Sequence, residues 1–216
     1  MLEYKDYPIY RQEIVKYTET IVPQNAHKIL VFGDKLHSLD YKWSKSRPET
    51  KITNLDSLNK NWVYVSDSNP EIDLALEKDS FDMIISYHGI EKSLDPERLI
   101  LQLRKGLTSN GQFIFITYNV SHIYSLYHIL ADELLSIKDG AFKEGNIQRF
   151  SYNQLKYLFE DTGLEVQKEE IYGTKEESVM ARQLIRITKN PYITALSFVF
   201  ICKKLETFPF IESIYL

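Results

Sequence analysis

The sequence predicts an α/β fold: a doubly wound, mostly parallel sheet that closes with an antiparallel strand. Three observations lead there. Apolar runs too short for helices recur along the chain, and amphipathic stretches of helical period alternate with them. The last two apolar runs are then separated by a single connector, as a terminal antiparallel pair requires. With 216 residues, 44% of them hydrophobic, the chain can bury one sizeable core, so a single domain over residues 1–216 is the expectation.

Residues 7–22 carry Ile9, Ile14, Val15, Ile21 and Val22 on a rough helical stripe that Pro23 terminates, a leading helix within residues 1–25. The stretch Lys28 to Leu39, KILVFGDKLHSL, is the pivot of the chain. Ile29 to Phe32 suit a strand buried on both faces, and Gly33 stops it. The tip of the first strand in such a sheet is where nucleotide-like ligands are held, normally over a turn rich in glycine. Here only Gly33 is glycine, and Lys35 and His37 occupy the following alternate positions. A short helix over 35–43 is closed by Arg47-Pro48.

Lys51 to Asp56 reads as a second strand and Trp62 to Ser66 as a third, ending at Asp67, with only a loop or one turn between them. Phe81 to Ser86, FDMIIS, is the clearest strand. Asp95-Pro96 starts a helix whose buried face is Leu99, Ile100, Leu103 and Leu107, and Asn110-Gly111 ends it. Gln112 to Thr117 makes a fifth strand, and a helix follows from His122 to about Leu135. A polar segment, 136–150, leads to a helix over 151–162. Leu164 to Tyr172 and Ile193 to Lys203 are the last two strands, with a helical stretch around 176–188 between them.

Composition narrows the function. A formal charge of -4 and a pI near 5.8 argue against a nucleic-acid partner. One cysteine, Cys202, excludes an intramolecular disulfide, fits a cytoplasmic location, and sits in an apolar run as a buried filler. No apolar run reaches the ~20 residues of a membrane span, and the first residues lack a signal-peptide core, so a soluble protein without a membrane partner is expected. No histidine and cysteine spacing suggests a metal site.

In a doubly wound sheet, ligands lie over the carboxyl ends of the strands. Gly33, Asp34, Asp56, Asp67, Ser86, Tyr87, His88 and Asn119 fall there. Asp56, at the end of the second strand, is placed to accept from both hydroxyls of a ribose, and Asp67 to accept from an exocyclic amine such as that of adenine. Gly33, Asp34 and Ser86 complete the expected cofactor contacts. For proton transfer the candidates are His88, Glu91, His122 and Asn119. His88 is preferred as a catalytic base, with a hydrogen bond to its own loop as the competing reading. Asn119 and His122 are the expected substrate contacts, although His122 also begins a helix.

Three ordered segments carry a family resemblance. FDMIISYHGIEKSLDP resembles an FD-apolar-apolar…LEH-x-x-DP strand and turn. LTSNGQFIFITYNVSH resembles LKPGG-strand-PNV-x-H, and QRFSYNQLKYLFEDTGLEV resembles RFFT…LFEEAGF. From about Tyr7 to Lys204 the chain is similar to the class I S-adenosylmethionine-dependent methyltransferases, in particular the bacterial branch found beside or fused to glycosyltransferases. The resemblance implies a Rossmann-like, seven-stranded methyltransferase sheet. It assigns residues 26–118 to a cofactor-binding half, 119–150 to a lid-like helix and loop, and 151–216 to a C-terminal half.

By the same resemblance the cofactor is S-adenosylmethionine, and the methyl acceptor is a small molecule or a glycan-related compound. The methionine-binding turn falls on Gly33 to Leu39, the ribose acid on Asp56 and the adenine-contacting acid on Asp67. The chain departs from the pattern at Val31, Lys35 and His37, which replace an acid and two glycines, and at Lys92, which replaces the histidine of LEH. Residues 143–150 replace D-x-T-H-x-R-F-F in the same way. These departures define the alternative: a methyltransferase-fold protein that has lost normal cofactor binding and serves as a binding or regulatory subunit, with a protein partner or a second copy of itself. A dinucleotide-dependent oxidoreductase is excluded by the missing G-x-G-x-x-G turn.

Overall fold

The computed structural model describes residues 7–33, 47–131, 141–142, 145–173 and 179–206. In chain order the elements are α1 (Tyr7–Ile21), β1 (Lys28–Gly33), β2 (Lys51–Asn54), a single helical turn α2 (Leu55–Leu58) and β3 (Phe81–Tyr87). They continue with α3 (Pro96–Gly106), β4 (Leu107–Tyr118), α4 (Ile123–Leu130), α5 (Tyr152–Asp161), β5 (Leu164–Gly173), α6 (Val179–Thr188) and β6 (Ala195–Lys204). The six strands form one sheet in the order β2-β1-β3-β4-β6-β5. β2, β1, β3 and β4 run parallel, and β6 is antiparallel to both β4 and β5.

The alternation of side chains along the strands divides the core into two layers, as a sheet covered on both faces must. Leu30, Phe32, Ile84, Phe113, Phe115, Phe198 and Phe200 face one way and meet Leu99, Ile100 and Leu103 of α3 and Leu155 and Phe159 of α5. Ile29, Val31, Met83, Ile85, Ile114, Ile116 and Val199 face the other way and meet Ile14 of α1 and Val22 just beyond it. Cys202 belongs to the first layer and is fully buried, which pushes its thiol above the ordinary range.

The helix starts follow their sequence signals. Asp95 caps α3 by accepting from the Arg98 N–H at 2.9 Å, with Pro96 in the first turn. Ser151 and Gln154 make a reciprocal capping box at α5.

Two expectations are corrected. The seven-stranded sheet has six strands among the described residues, because Trp62–Tyr64 is a 3₁₀ turn and not a third strand. Trp62 and Val65 are buried three apart, while Tyr64 between them is exposed, so the true period is three and not two. Asparagine chemistry sets that turn: the Asn59 side chain accepts from the Asn61 N–H at 2.9 Å, and its carbonyl accepts from the Trp62 N–H at 3.3 Å. Helix α3 also ends at Gly106, not at Asn110-Gly111, and Leu107 is already paired with Phe81 of β3. The expected short helix at 35–43 lies outside the described residues.

The sheet has two unlike edges. β2 is four residues long, whereas β5 is ten residues, LEVQKEEIYG, with Glu165, Lys168 and Glu169 exposed. No helix among the described residues is long and apolar enough to cross a membrane.

The aromatic layer beneath α5 carries much of the packing. The Phe159 ring stacks on Phe115 at 4.6 Å and meets Phe200 edge-on at 5.3 Å. Phe159→Ala is expected to lower the unfolding free energy by about 3–5 kcal/mol, measured by urea denaturation. A loss below about 1 kcal/mol would mean that the ring is not a core element.

Candidate active site

The site is built on a close approach between the ends of β1 and β3. Gly33 pairs with Tyr87 across the sheet and has φ +104°, in the region that favours glycine. A Cβ on Gly33 would lie 2.2 Å from the Tyr87 carbonyl oxygen and 2.7 Å from the Gly89 main chain. A Cβ on Gly89 would lie 2.5 Å from the Phe32 ring. The two glycines therefore interlock the strand tips. Gly89 was not singled out by the sequence, although it stands directly after His88 in the turn.

Ser86 is buried in this interlock, and its hydroxyl accepts from the Ile90 N–H at 3.3 Å, so it braces the turn. Asp34 and the rest of the expected methionine-binding turn, Lys35 and His37 included, lie outside the described residues.

His88 follows β3 in the left-handed region, with φ +50°, and is fully buried. Its ring stacks on Tyr118 at 3.6 Å and meets the edge of Tyr87 at 4.7 Å. Nδ1 lies 3.3 Å from Glu91 Oε1, and Nε2 has no hydrogen-bond partner among the described residues. Glu91 is equally buried. Its Oε1 accepts from the Tyr118 N–H at 2.9 Å, and its carbonyl oxygen accepts from the N–H groups of Ile147 and Gln148 at 2.7 and 2.8 Å.

The two acids stand farther along. Asp56 is exposed in α2, just past the end of β2, where the Asn54 side chain accepts from its N–H at 2.8 Å. Its Oδ1 accepts from Trp62 Nε1 at 2.5 Å, and Oδ2 has no partner among the described residues. The Trp62 ring meets Phe32 edge-on at 5.3 Å, which links Asp56 to the tip of β1. Asp67, 60% exposed, is ion-paired with Arg98 of α3. It opens on a cleft of about 450 Å³ that Asp95, Pro96 and Glu97 also line. Burial, with the nearby Asp95, Asp161 and Asp67 carboxylates, raises the Glu97 carboxyl above its usual range.

The residues expected to touch substrate are largely committed to the fold. Asn119 donates from its side chain to the carbonyls of Tyr192 and Ala195 at 2.9 and 2.8 Å, and its Oδ1 accepts from the Ser121 N–H at 2.9 Å. It walls a second cleft, of about 410 Å³, with Ser151, Tyr152, Lys189 and Tyr192. His122 caps α4, its Nδ1 accepting from the Tyr124 N–H at 3.2 Å. Burial pushes His122 down to about 4.

Among the described residues, no three His, Cys, Asp or Glu side chains are placed to hold a metal ion. Gly33, Ser86, His88 and Glu91 are brought together at one point. Asn119 follows directly on Tyr118, and its carbonyl accepts from the His122 N–H at 3.2 Å. Asp56 is linked to that point through Trp62 and Phe32, whereas Asp67 stands apart from it, beside the start of α3.

Two outcomes follow from this geometry. Gly145 also has positive φ, +88°, but nothing lies within 4 Å of a Cβ built there. Gly145→Ala is therefore expected to cost about 1–3 kcal/mol of backbone strain, and Gly33→Ala several kcal/mol more, compared by chemical denaturation. Equal losses would refute the interlock. His122 is neutral when folded down to about pH 4, whereas an unfolded histidine protonates near 6.5. The unfolded chain binds the extra proton between those values, so stability falls as pH drops from about 6.5 towards 4, by on the order of 2–4 kcal/mol. His122→Asn, which keeps a capping side chain, should flatten that part of a pH–stability curve.

A family model described as a methyltransferase domain matches residues 22–169. By sequence alone the chain matches no curated protein. Among solved structures, an S-adenosylmethionine-dependent methyltransferase from Archaeoglobus fulgidus superposes with a TM-score of 0.58 at 16% identity, over 90% of this chain and 94% of that one. A second, from Methanosarcina mazei, gives 0.57 at 14% identity, over 88% and 97%. A third match, at 0.53 and 11% identity over 92% and 93%, is a complex containing the Haloferax volcanii Trm112 methyltransferase activator. At these identities the structures speak for the fold, while the family model covers most of the chain. With the Rossmann-like sheet, they lead to one assignment: the chain belongs to the class I S-adenosylmethionine-dependent methyltransferase family.

Proposed function

We propose that this chain is a divergent methyltransferase that transfers the methyl group of S-adenosylmethionine to a small-molecule or glycan-related acceptor, with His88 as the base. The single observation that carries the proposal is His88 itself. A buried imidazole nitrogen without a partner costs about 1–3 kcal/mol, and a left-handed backbone at a non-glycine residue adds a similar amount. A fold that keeps both at a strand tip has the marks of a functional site. The bare nitrogen would take the proton of an acceptor hydroxyl or amine. The acceptor class follows the glycosyltransferase-associated branch that the sequence resembles.

The residues suit the nucleoside half of the cofactor. Asp56 is exposed at the end of β2, with Oδ1 fixed by Trp62 and Oδ2 open to the vicinal hydroxyls of a ribose. Asp67 would receive the adenine amine beside Arg98. At the methionine end, Gly33 and Ser86 shape the turn between β1 and β3, and Asp34 would contribute from outside the described residues. The cofactor, when bound, supplies an electrophilic methyl group on a sulfonium.

A second reading, a binding or regulatory protein of the same fold, is favoured by two facts. Tyr118 covers the His88 ring, and the polar groups of Asn119 are occupied by main-chain atoms. Isothermal titration with S-adenosylmethionine and S-adenosylhomocysteine separates the two. Micromolar binding, about -8 kcal/mol, that weakens at least a hundredfold in Asp56→Ala is expected. Silence up to millimolar ligand in a folded sample would overturn the enzymatic reading and leave the regulatory one.

A further inference from the structure

We infer that Glu91 is a positioning residue: its carboxylate fixes the tautomer of His88, and its main chain ties that ring to the segment carrying Ile147 and Gln148. The inference rests on the reading of His88 as the base.

Glu91 Oε1 accepts from the Tyr118 N–H at 2.9 Å, so it presents lone pairs to its surroundings. His88 Nδ1 faces the same oxygen at 3.3 Å. Two lone pairs at that separation repel, so the proton of the neutral ring belongs on Nδ1, donated to the carboxylate. Nε2 is left as a bare acceptor, the nitrogen that has no partner among the described residues.

His122 shows the opposite arrangement in the same molecule. Its Nδ1 accepts from the Tyr124 N–H, which puts the proton on Nε2. In their neutral forms the two buried histidines thus place the proton on different nitrogens, each dictated by one neighbour.

Glu91 also acts through its main chain. Its carbonyl oxygen takes two N–H groups, from Ile147 and Gln148. That segment continues to Phe150, which bridges to Asn119 beyond the tip of β4. One residue therefore sets the ring and anchors the chain beside it. When Nε2 takes a proton from an acceptor O–H or N–H, the ring becomes an imidazolium with both nitrogens protonated. Its Nδ1–H stays on the carboxylate, where the opposite charges strengthen the hydrogen bond.

The test is long-range ¹H–¹⁵N correlation NMR on the full chain labelled at histidine. His88 is expected to show a protonated Nδ1 and a bare Nε2, and His122 the reverse. The His88 Nδ1 proton should lie far downfield and move upfield in Glu91→Gln, which preserves the shape and the Tyr118 contact. A His88 ring protonated on Nε2 alone in the wild type, or an Nδ1 proton unmoved by Glu91→Gln, would overturn the inference, because a glutamate serving only to cap Tyr118 predicts one or the other. The experiment needs neither cofactor nor acceptor. A correct tautomer with a silent cofactor titration would thus sink the enzymatic reading and leave the geometry of Glu91 standing.

Discussion

Contact between the tips of β1 and β3 without intervening side chains is the constraint on which the functional end of the sheet depends. Gly33 and Gly89 each lack the one atom that would separate the two segments. Once they touch, Phe32 lies over Gly89 and also against Trp62, and Trp62 holds the Asp56 carboxylate. On the other side, the turn through His88 and Ile90–Lys92 drops Glu91 beneath the end of β4. The Asp56 carboxylate and the His88 ring are thus joined through a few rigid contacts, with no long side chain to loosen the geometry.

Two kinds of polar residue meet at this end of the sheet. Asp56 and Asp67 are solvated and keep part of their hydrogen-bonding capacity open to water. His88 and Glu91 are enclosed, with one atom each unsatisfied. An enclosed pair of this kind is costly unless something uses it. Asn119 and His122 are enclosed as well: Asn119 makes three bonds to main-chain atoms, and His122 caps a helix through Nδ1 while its Nε2, like that of His88, has no partner among the described residues.

Much of the fold was legible because it is written locally. Ile29 to Phe32 and Phe81 to Ser86 are unbroken apolar runs, and Asp95-Pro96 and Ser151 start helices through bonds spanning three residues. The misreading at Trp62–Ser66 has a physical cause. Alternating large and small apolar residues imitate a strand, but Asn59 and Asn61 offer the backbone a tighter turn, and two buried residues three apart then fill one pocket of the core. Of the candidate site, the positions of Asp56 and His88 just past the ends of β2 and β3 were legible. Glu91's contact with Tyr118, 27 positions away, is set by how β3 and β4 are registered, which spacing along the chain does not reveal.

The unlike edges of the sheet bear on how the molecule keeps to itself. Exposed backbone at a sheet edge can recruit a strand from another molecule, and long flat edges do so most readily. β5 is the long edge, and an incoming strand would meet Glu165, Lys168 and Glu169 and a shift of register between Val166 and Lys168. β2 carries no comparable set of charges, but it presents only four residues, too few to hold a visitor. One flank is guarded by charge and the other by brevity, so growth of the sheet into fibrils is opposed on both sides by different means.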